Sequence, residues 1–361
     1  MPEDKKPVYL NTAACGLIAN DALQAGLRLY NHFENRASIA SENWRDLEGP
    51  VIKGNIAGFM NTAPQYIALI PNFSYGFNAV VQALSGKEKV LLYRKDYPSV
   101  YIPFMINNFN IVWLDDEDGF LVDLNKIESL IKTEKIDIVA ISHVQWHTGF
   151  KLDLKALCSV CRAHGARTLI DATQSLGAIA TSIPEILPDV LIASNYKWMN
   201  GGFGTGILYM DPEFAALYPP KISGANSNAF RFSDLSFDLN TSITNYEPGG
   251  VNMFGFSLLN KAIEEKTAKG MEQIEAHNRA LTEILLQQLL RYAVPVVGVP
   301  DMQNRSPILV AEDRNGLHAH LSKNNVITTG RNGTVRFSIH FYNTEADIDA
   351  VARSLKDWAR E

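Results

Sequence analysis

The chain contains 361 residues, of which 46% are hydrophobic and 20% are charged, with a formal net charge of −6 at pH 7 and three cysteines. These values are typical of a globular protein of about two domains, and they give no reason to expect nucleic acid or a membrane surface as a partner. No apolar run approaches the roughly 20 residues of a membrane helix, the first residues lack the core of a signal peptide, and the cysteines lack the spacing of a disulfide scaffold, so we expect a cytoplasmic protein.

The N-terminal region predicts one short strand followed by helices. Residues 8–16 read as a strand that runs into small residues, which allow close approach to a ligand but also suit an ordinary turn. A helical pattern then continues to about Ile39, and residues 42–60 predict another helix with glycine interruptions.

Two strands with chemically interesting ends come next. Residues 68–84 predict a strand, a turn and a helix, and Asn72 or Ser74 can cap that helix. A helix start with free N–H groups and a hydroxyl can bind phosphate, although a plain capped helix explains the same pattern. Residues 90–93 predict a strand, and Tyr97 just beyond it could stack on a planar cofactor or simply pack.

The pattern continues with a strand over residues 136–142 and a polar loop over residues 143–149. That loop is rich in ring and amide groups, including Trp146 and His147. Strands and helices alternate from about residue 66 to 210, which predicts a mostly parallel, doubly wound sheet with its ligand site at the carboxyl ends of the strands.

Cys158 and Cys161 resemble a metal-binding pair but sit three residues apart in a predicted helix, with no second pair to complete a zinc site. We therefore expect apolar packing for both thiols and no metal.

The strongest chemical pattern lies at two neighbouring strand ends. Residues 168–170 deliver Asp171 to the edge of the sheet, and residues 190–193 lead to Lys197. Pyridoxal phosphate (PLP) needs a lysine for a Schiff base and a carboxylate for its ring nitrogen. The glycines that follow the lysine let the backbone pass close to a ligand or a strand. A salt-bridged Asp and Lys beside a glycine-rich turn would explain these residues equally well.

The remaining chain departs from the alternating pattern. Residues 211–248 are loop-rich, and residues 252–292 carry two long helical patterns. Residues 335–340 alternate apolar and polar side chains, which predicts a half-buried strand. Thr344 caps the last predicted helix, with Asp347 three residues later.

Taken in order, several short blocks resemble the fold-type I, class V aminotransferases, a group that includes cysteine desulfurases, kynureninases and isopenicillin N epimerase-like proteins. The resemblance implies the α/β fold of PLP-dependent transferases, with a mostly parallel seven-stranded-type sheet in a large domain (17–255) and a smaller α+β domain (1–16 and 256–361). The blocks are NFS, DYPS, SHVQWHTG, DATQSLGA, SNYKWMNGGFGTGILYM, EPGGVNMFG and VRFSIHFYNTEADID.

The resemblance implies a role for each matching residue around the cofactor ring. Lys197 would form the Schiff base, Asp171 would pair with the pyridinium nitrogen, and Gln174 would lie near the phenolic oxygen. Tyr97 occupies the position of the aromatic residue that stacks on the ring.

Four further residues match the family's phosphate site. The resemblance implies that the cofactor phosphate binds the backbone N–H of Phe73 and the side chains of Ser74, Ser194 and Tyr196.

The substrate site is implied in the same way. Arg336 matches the arginine that binds a substrate α-carboxylate, which its forked guanidinium suits. Ala14 and Trp146 would complete the site for an amino-acid substrate. Gly249 and Gly250 match a loop that reaches the phosphate of the other subunit, which implies a homodimer with shared active sites.

The resemblance leaves the reaction open. Desulfurases carry a nucleophilic cysteine shortly before the arginine strand, where this chain has none, and Cys15 near the substrate position is expected to be buried in small-residue packing. We expect an aminotransferase that acts on the α-amino group of an amino acid. The alternatives are a PLP-dependent lyase or epimerase and a catalytically silent PLP-binding homologue. A phosphoserine-type substrate would need a further basic pocket, to which Arg45, His147 and Arg331 could contribute.

Overall fold

A computed structural model describes residues 6–116, 118–226, 229–231, 233–238, 242–299 and 301–360, so residues 1–5 of the predicted small domain lie outside the described residues. Within those ranges, no helix combines the length and apolar composition needed to cross a membrane. The strands are β1 (Val8–Tyr9), β2 (Ile67–Ile70), β3 (Lys89–Tyr93), β4 (Asn110–Leu114), β5 (Ile138–Ser142), β6 (Arg167–Asp171), β7 (Val190–Ser194), β8 (Gly206–Met210), β9 (Ala229–Arg231), β10 (Ser236–Asp238), β11 (Ile308–Glu312), β12 (Val326–Ile327), β13 (Thr329–Arg331) and β14 (Thr334–Ser338). The helices are α1 (Asn20–Asn43), α2 (Gly49–Phe59), α3 (Phe73–Ala83), α4 (Pro98–Ile106), α5 (Leu124–Glu134), α6 (Leu154–Ala163), α7 (Ile183–Ile186), α8 (Pro212–Leu217), α9 (Met253–Lys269), α10 (Met271–Arg291), α11 (Leu317–Lys323) and α12 (Glu345–Trp358).

The large sheet has seven strands in the order β2-β8-β7-β6-β5-β3-β4. Only β8 opposes the other strands, so the predicted mostly parallel sheet is confirmed. Because β5, β6 and β7 are parallel neighbours, their carboxyl ends meet at one edge of the sheet. Ser142 pairs with Asp171 in the β5–β6 register, and Asp171 with Ile192 in the β6–β7 register.

Apolar side chains cover both faces of this sheet, which explains why its central strands are almost continuously hydrophobic. Alternate residues of β6 point to opposite layers: Leu169 joins the layer that includes Phe77 of α3, and Ile170 joins the layer that includes Leu157 of α6 and Leu259 of α9. These two layers fix the sheet, and therefore the position of its carboxyl edge.

A smaller antiparallel sheet, β11-β14-β13, packs against α10, α11 and α12 around a third apolar cluster. Leu10, next to β1, belongs to this cluster, and β1 pairs in parallel with β12. The N-terminal segment is therefore bound to elements near the other end of the chain. The residue boundaries given above for the two domains stay a prediction.

Strand β14 differs from the half-buried strand that its alternation predicts. Its polar side is also enclosed, because Ser338 and His340 are fully buried and Arg336 is half-buried. The Ser338 hydroxyl accepts the backbone N–H of Ala13 at 2.9 Å, and His340 Nε2 lies 2.8 Å from the carbonyl oxygen of Trp198. The prediction was wrong because the polar side faces the large sheet's loops rather than solvent.

Helix boundaries follow the capping chemistry more closely than the hydrophobic pattern. The Asn72 side chain accepts the backbone N–H of Tyr75 at 2.9 Å, and Thr344 forms a capping box with Asp347, as predicted. The predicted helix end near Ile39 corresponds to a kink at Arg36, whose φ of −143° and ψ of 38° are non-helical; helical structure then continues through a short π-helical segment, Trp44–Glu48, into α2.

Candidate active site

Asp171 and Lys197 line one cavity of about 350 Å³ at the carboxyl edge of the large sheet, here called the lysine cavity. Asp171 ends β6, and Lys197 lies in the turn that follows β7. Both are buried, with 5% and 8% of their surfaces exposed. The ion pairs found among the described residues do not join these two groups. The salt-bridge interpretation of the pair is therefore wrong, and the space between them belongs to a cavity.

Hydrogen bonds hold Asp171 in place and leave part of its carboxylate available. One oxygen, Oδ1, accepts the backbone N–H of Thr173 at 2.8 Å, and the hydrogen bonds found among the described residues do not engage Oδ2. Burial raises the pKa of Asp171, and the nearby carboxylate of Asp96 raises it further. Such a group is well suited to sharing a proton with a ring nitrogen.

The Lys197 amine lies between two aromatic rings. Its Nζ is 5.7 Å from the ring centre of Tyr97 and 5.5 Å from that of Tyr196. Burial lowers the pKa of Lys197; Asp171 opposes this effect and Arg336 adds to it. Lysines with depressed pKa values carry more of the neutral amine, which is the nucleophilic form.

The N-terminus of α3 forms the opposite wall of the lysine cavity. Phe73, Ser74, Ser194 and Tyr196 all line it, so the predicted phosphate residues are brought together. The backbone N–H of Phe73 donates to Ser194 Oγ at 2.8 Å, and Ser74 Oγ lies 2.8 Å from Ser99 Oγ. Phe73 therefore fixes the Ser194 hydroxyl, and an anion at this helix start would meet hydroxyl groups and the positive end of a helix dipole.

Gln174 connects the lysine loop to the N-terminal segment. Its Nε2 donates to the carbonyl oxygen of Ala13 at 3.1 Å, and its Oε1 accepts the indole N–H of Trp198 at 2.8 Å. The side chain is therefore held on both sides at the border of the lysine cavity.

A second cavity of about 360 Å³, here called the arginine cavity, adjoins the first. The two cavities meet at the lysine, since five residues line both: Tyr97, Trp146, Gln174, Tyr196 and Lys197. The other groups around the arginine cavity include Ala14, His147, Arg331 and Arg336.

One hydrogen bond orients Arg336 among the residues that the structure describes. Its Nη1 donates to the carbonyl oxygen of Trp146 at 2.8 Å, while its buried Nε has no protein partner. The predicted substrate residues Ala14, Trp146 and Arg336 therefore lie together beside Lys197, and one edge of the guanidinium is available to a ligand.

Gly249 and Gly250 lie elsewhere. They line a third cavity of about 610 Å³, the glycine cavity, together with Arg45 and Lys53. Neither glycine is among the residues lining the cavities that contain Lys197. Within one chain, Arg45 is therefore separated from the site, whereas His147 and Arg331 are part of it.

Cys15 is half-buried rather than enclosed in small-residue packing, so that expectation was wrong. Burial raises the pKa of its thiol, and Lys197 acts in the opposite direction. Cys158 and Cys161 are buried as expected, and burial raises the pKa of Cys158 to about 12. None of these three cysteines is among the residues lining the lysine and arginine cavities.

Sequence reasoning missed Asp96, which precedes the predicted stacking residue. Its buried carboxylate accepts the backbone N–H of Tyr97 at 2.7 Å and both the N–H and the hydroxyl of Ser142, at 2.8 and 2.5 Å. It fixes the loop that presents Tyr97 to the cavity. Its position in the turn that follows β3 was the available signal.

A second missed group is a buried cluster behind the lysine loop. Lys266 Nζ on α9 donates to Asn200 Oδ1 at 2.5 Å, and His340 Nε2 lies 3.1 Å from the same oxygen. Asn200 has a left-handed backbone with φ of 58°, and its N–H donates to the carbonyl oxygen of Lys197. Nothing in the sequence spacing indicates this contact, because it joins three distant segments.

Nearly the whole chain matches a protein-family description. The class V aminotransferase model matches residues 8–351. The chain belongs to the class V aminotransferase family. Enzymes of this class use pyridoxal phosphate, so the predicted cofactor is confirmed, and the lysine cavity offers a carboxylate, an amine and a helix N-terminus that fit it.

Named relatives point to more than one reaction. A probable cysteine desulfurase from Methanothermobacter thermautotrophicus is 25% identical over 329 residues, covering 84% of this chain and 82% of the relative. An uncharacterized aminotransferase from Bacillus subtilis is 23% identical over 324 residues, covering 86% of this chain and 85% of the relative.

The fold prediction is confirmed by solved structures. The apo structure of a cysteine desulfurase from Thermococcus onnurineus resembles this class V chain with a TM-score of 0.87 at 19% identity, covering 98% of this chain and 95% of the other.

Proposed function

We propose that this class V protein transfers the α-amino group of an amino acid to an oxo acid, using PLP bound at Lys197. The observation that carries the proposal is the junction of two cavities at one amine. The lysine cavity has the groups that PLP requires, and the arginine cavity places a guanidinium beside the same lysine.

The residues of the lysine cavity suit three parts of the cofactor. Lys197 would hold it covalently, Asp171 would face the ring nitrogen, and the Tyr97 ring would cover one face. The phosphate would lie against the α3 N-terminus, beside Ser74 and Ser194. When bound, PLP supplies an electron sink for negative charge formed at the substrate Cα.

The protein's own contribution is to position the substrate and to move a proton. Arg336 would hold the α-carboxylate through the guanidinium edge that Trp146 leaves open. This places the Cα–H bond beside the Lys197 amine. Because burial lowers the pKa of Lys197, its neutral form is available to take that proton.

The second candidate is a carbon–sulfur lyase. It is favoured by the relative named as a probable cysteine desulfurase. The hairpin from β13 to β14 contains no cysteine, and neither cavity that contains Lys197 is lined by one. A lyase reaction here would therefore release sulfur without a protein persulfide, converting cysteine and water into pyruvate, ammonia and sulfide.

One set of incubations separates the two reactions. Transamination requires a 2-oxo acid acceptor and produces one new amino acid for each one consumed. The lyase reaction proceeds without an acceptor and yields sulfide. Lys197→Ala should abolish either reaction and the absorbance of the bound cofactor near the visible edge. A wild-type protein that does not bind PLP after incubation with it would contradict the proposal.

We further propose a homodimer in which Gly249 and Gly250 of one subunit approach the phosphate site of the other. Both glycines leave open space where a Cβ would stand, and both lie apart from the Lys197 of their own chain. These two observations support a role for the loop at a site on another subunit.

A further inference from the structure

The arginine cavity carries more positive charge than one α-carboxylate needs. We propose that the substrate is an amino acid whose side chain bears a second anionic group, and that Arg331 binds it. This inference rests on the proposed function, since it concerns the substrate of the same site. The anionic group could be a carboxylate, a sulfinate or a phosphate ester, because arginine binds all three in the same way.

The β13–β14 hairpin places both arginines on one face. Thr329 pairs with Arg336 and Arg331 with Thr334 in the antiparallel register. Because side chains alternate along a strand, Arg331 and Thr329 point to the same side as Thr334 and Arg336. All four line the arginine cavity.

The hydroxyl groups of the two threonines are not available to donate to an anion, because both already donate within the protein. Thr329 Oγ1 donates to Asn11 Oδ1 at 2.6 Å, and Thr334 Oγ1 donates to the carbonyl oxygen of Arg331 at 2.7 Å. The guanidinium groups are therefore the donors that this face presents to a ligand.

Arg331 is held in position by the indole of Trp146. Its guanidinium carbon lies 5.0 Å from the centre of that ring, a cation–π contact. Stacking occupies the face of a guanidinium and leaves its N–H edges for a carboxylate or phosphate. Arg331 is exposed, whereas Arg336 is half-buried, so the two mark the mouth and the floor of one cavity.

No acidic group neutralises these cations. Among the described residues, those that line the arginine cavity include no Asp or Glu, and the ion pairs found there involve neither Arg331 nor Arg336. Burial and, to a smaller extent, repulsion by Arg331 together lower the pKa of Arg336 to about 10. Burial, then Arg336 and Arg331, also lower the pKa of His147.

This arrangement fixes the order of the substrate's groups. The α-carboxylate belongs with Arg336 on the floor, because that places Cα beside Lys197 as the proposed function requires. The side chain then extends toward the mouth, where Arg331 and the edge of Trp146 meet it. An uncharged side chain would leave the exposed Arg331 guanidinium to water and the Trp146 ring, and would gain no charge-assisted contact there.

The first test measures binding without turnover. Succinate and butyrate have the same number of carbon atoms but two carboxylates and one, and neither has an amine. In calorimetric titrations of the PLP-loaded protein, succinate should bind about 10- to 100-fold more tightly than butyrate, the range expected for one charge-assisted arginine contact. Arg331→Ala should reduce the succinate affinity to that of butyrate.

Arg314→Ala is the matched control, because Arg314 is an exposed arginine paired with Glu312 and does not line the arginine cavity. It should bind succinate as wild type does. Equal affinities for succinate and butyrate in the wild type would overturn the inference. So would an unchanged succinate affinity in Arg331→Ala.

The second test uses matched substrates. The kcat/KM for aspartate should exceed that for asparagine, and glutamate should exceed glutamine, by about 10- to 100-fold. Arg331→Ala should remove this preference, and Arg331→Lys should restore part of it, which also excludes misfolding as the cause. If every one of these amino acids is consumed with equal kcat/KM, the inference fails while the proposed function stands. If no amino acid is consumed, the proposed function fails.

Discussion

The charge on Lys197 is set first by burial and then by two neighbours of opposite charge. Burial lowers its pKa, the Asp171 carboxylate counteracts that effect, and the Arg336 guanidinium adds to it. The same residues that would bind cofactor and substrate therefore also control how much neutral amine is present.

This balance makes the rate of PLP capture depend on pH. In protein stripped of cofactor, the neutral Lys197 amine attacks the aldehyde, so the rate should rise with pH and reach its midpoint well below the 10.5 of an ordinary lysine. Asp171→Asn should shift that midpoint lower, and Arg336→Met should shift it higher. Stopped-flow absorbance across a pH series measures both shifts. A midpoint near 10.5 in the wild type would show that burial does not control this amine.

Arg336 gives a second prediction at this scale. Arg336→Ala should raise KM for amino-acid substrates by roughly 10- to 100-fold, because a charge-assisted contact to the α-carboxylate is lost. Steady-state kinetics provide the measurement, with Arg314→Ala as the control. The absorbance of bound cofactor should not change, since the guanidinium would contact the substrate. An unchanged KM would show that the carboxylate binds elsewhere.

Single residues were predictable where the sequence places reactive groups at strand ends. Asp171 and Lys197 each follow an apolar run, and parallel strands bring such ends together. Asp96 also follows a strand but was missed, because a carboxylate beside an aromatic residue has no distinctive spacing. Arg336 was indicated by the resemblance alone; its alternating strand wrongly suggested an exposed side.

Helix α9 supports the lysine loop through a buried amine. Lys266 lies fully inside the protein, with its Nζ on Asn200 and 4.6 Å from the centre of the Phe341 ring. Burial lowers the pKa of Lys266 to about 7. The contact links α9 to the turn that holds Lys197. The protonation state of Lys266 is therefore connected to the position of that turn.

Lys266 should therefore contribute a rise in the stability of the fold as the pH increases above neutrality. Between about 7 in the folded state and about 10.4 in the unfolded state, Lys266 binds more protons when unfolded, so raising the pH favours folding by up to about 1.4 kcal/mol per pH unit. Lys266→Met should flatten this slope in denaturant titrations. Lys269→Met, an exposed lysine on the same helix, should leave it unchanged. An equal slope in both variants would exclude Lys266 as its source.

Glycines in different elements should respond in opposite ways to an added methyl group. A Cβ at Gly16 would collide with the carbonyl oxygen of Lys197, whereas a Cβ at Gly54 in the middle of α2 would meet nothing within 4 Å. Gly54→Ala should stabilise the protein by about 0.5–1 kcal/mol through helix propensity. Gly16→Ala should destabilise it and weaken PLP binding, since the lysine loop must shift. Denaturant titration and cofactor absorbance measure the two effects, and unchanged PLP binding in Gly16→Ala would contradict this account.

Helices and strands were predicted well where a single hydrophobic period dominates the sequence. The central strands, the α3 cap and the long helices around Gly270 follow from local pattern. The enclosed polar side of β14 could not be predicted, because Ser338 and His340 find their partners at Ala13 and Trp198. Alternation reports that one side is polar, but only the tertiary fold decides whether that side meets water or protein.

At the scale of the whole molecule, the glycine cavity lies apart from the cavities that contain Lys197, so the proposed shared site requires two chains. Sedimentation should give twice the mass of the 40.1 kDa chain. Gly249→Asp should weaken PLP affinity without changing that mass, because a carboxylate near the partner's phosphate site is repulsive. Lys53→Gln, in the same cavity, controls for a general effect of altering it. A fully active monomer would contradict the shared site.

The hydrogen bond between the Ala13 N–H and Ser338 joins residues 325 positions apart. Beside it, β1 pairs in parallel with β12, and the Gly16 N–H donates to the carbonyl oxygen of Tyr196. During synthesis on the ribosome, the large sheet has all of its strands long before residue 338 emerges. Strand β1, although translated early, lacks its β12 partner until residues 326–327 emerge, so the N-terminal segment is fully bound only when an early and a late part of the chain meet.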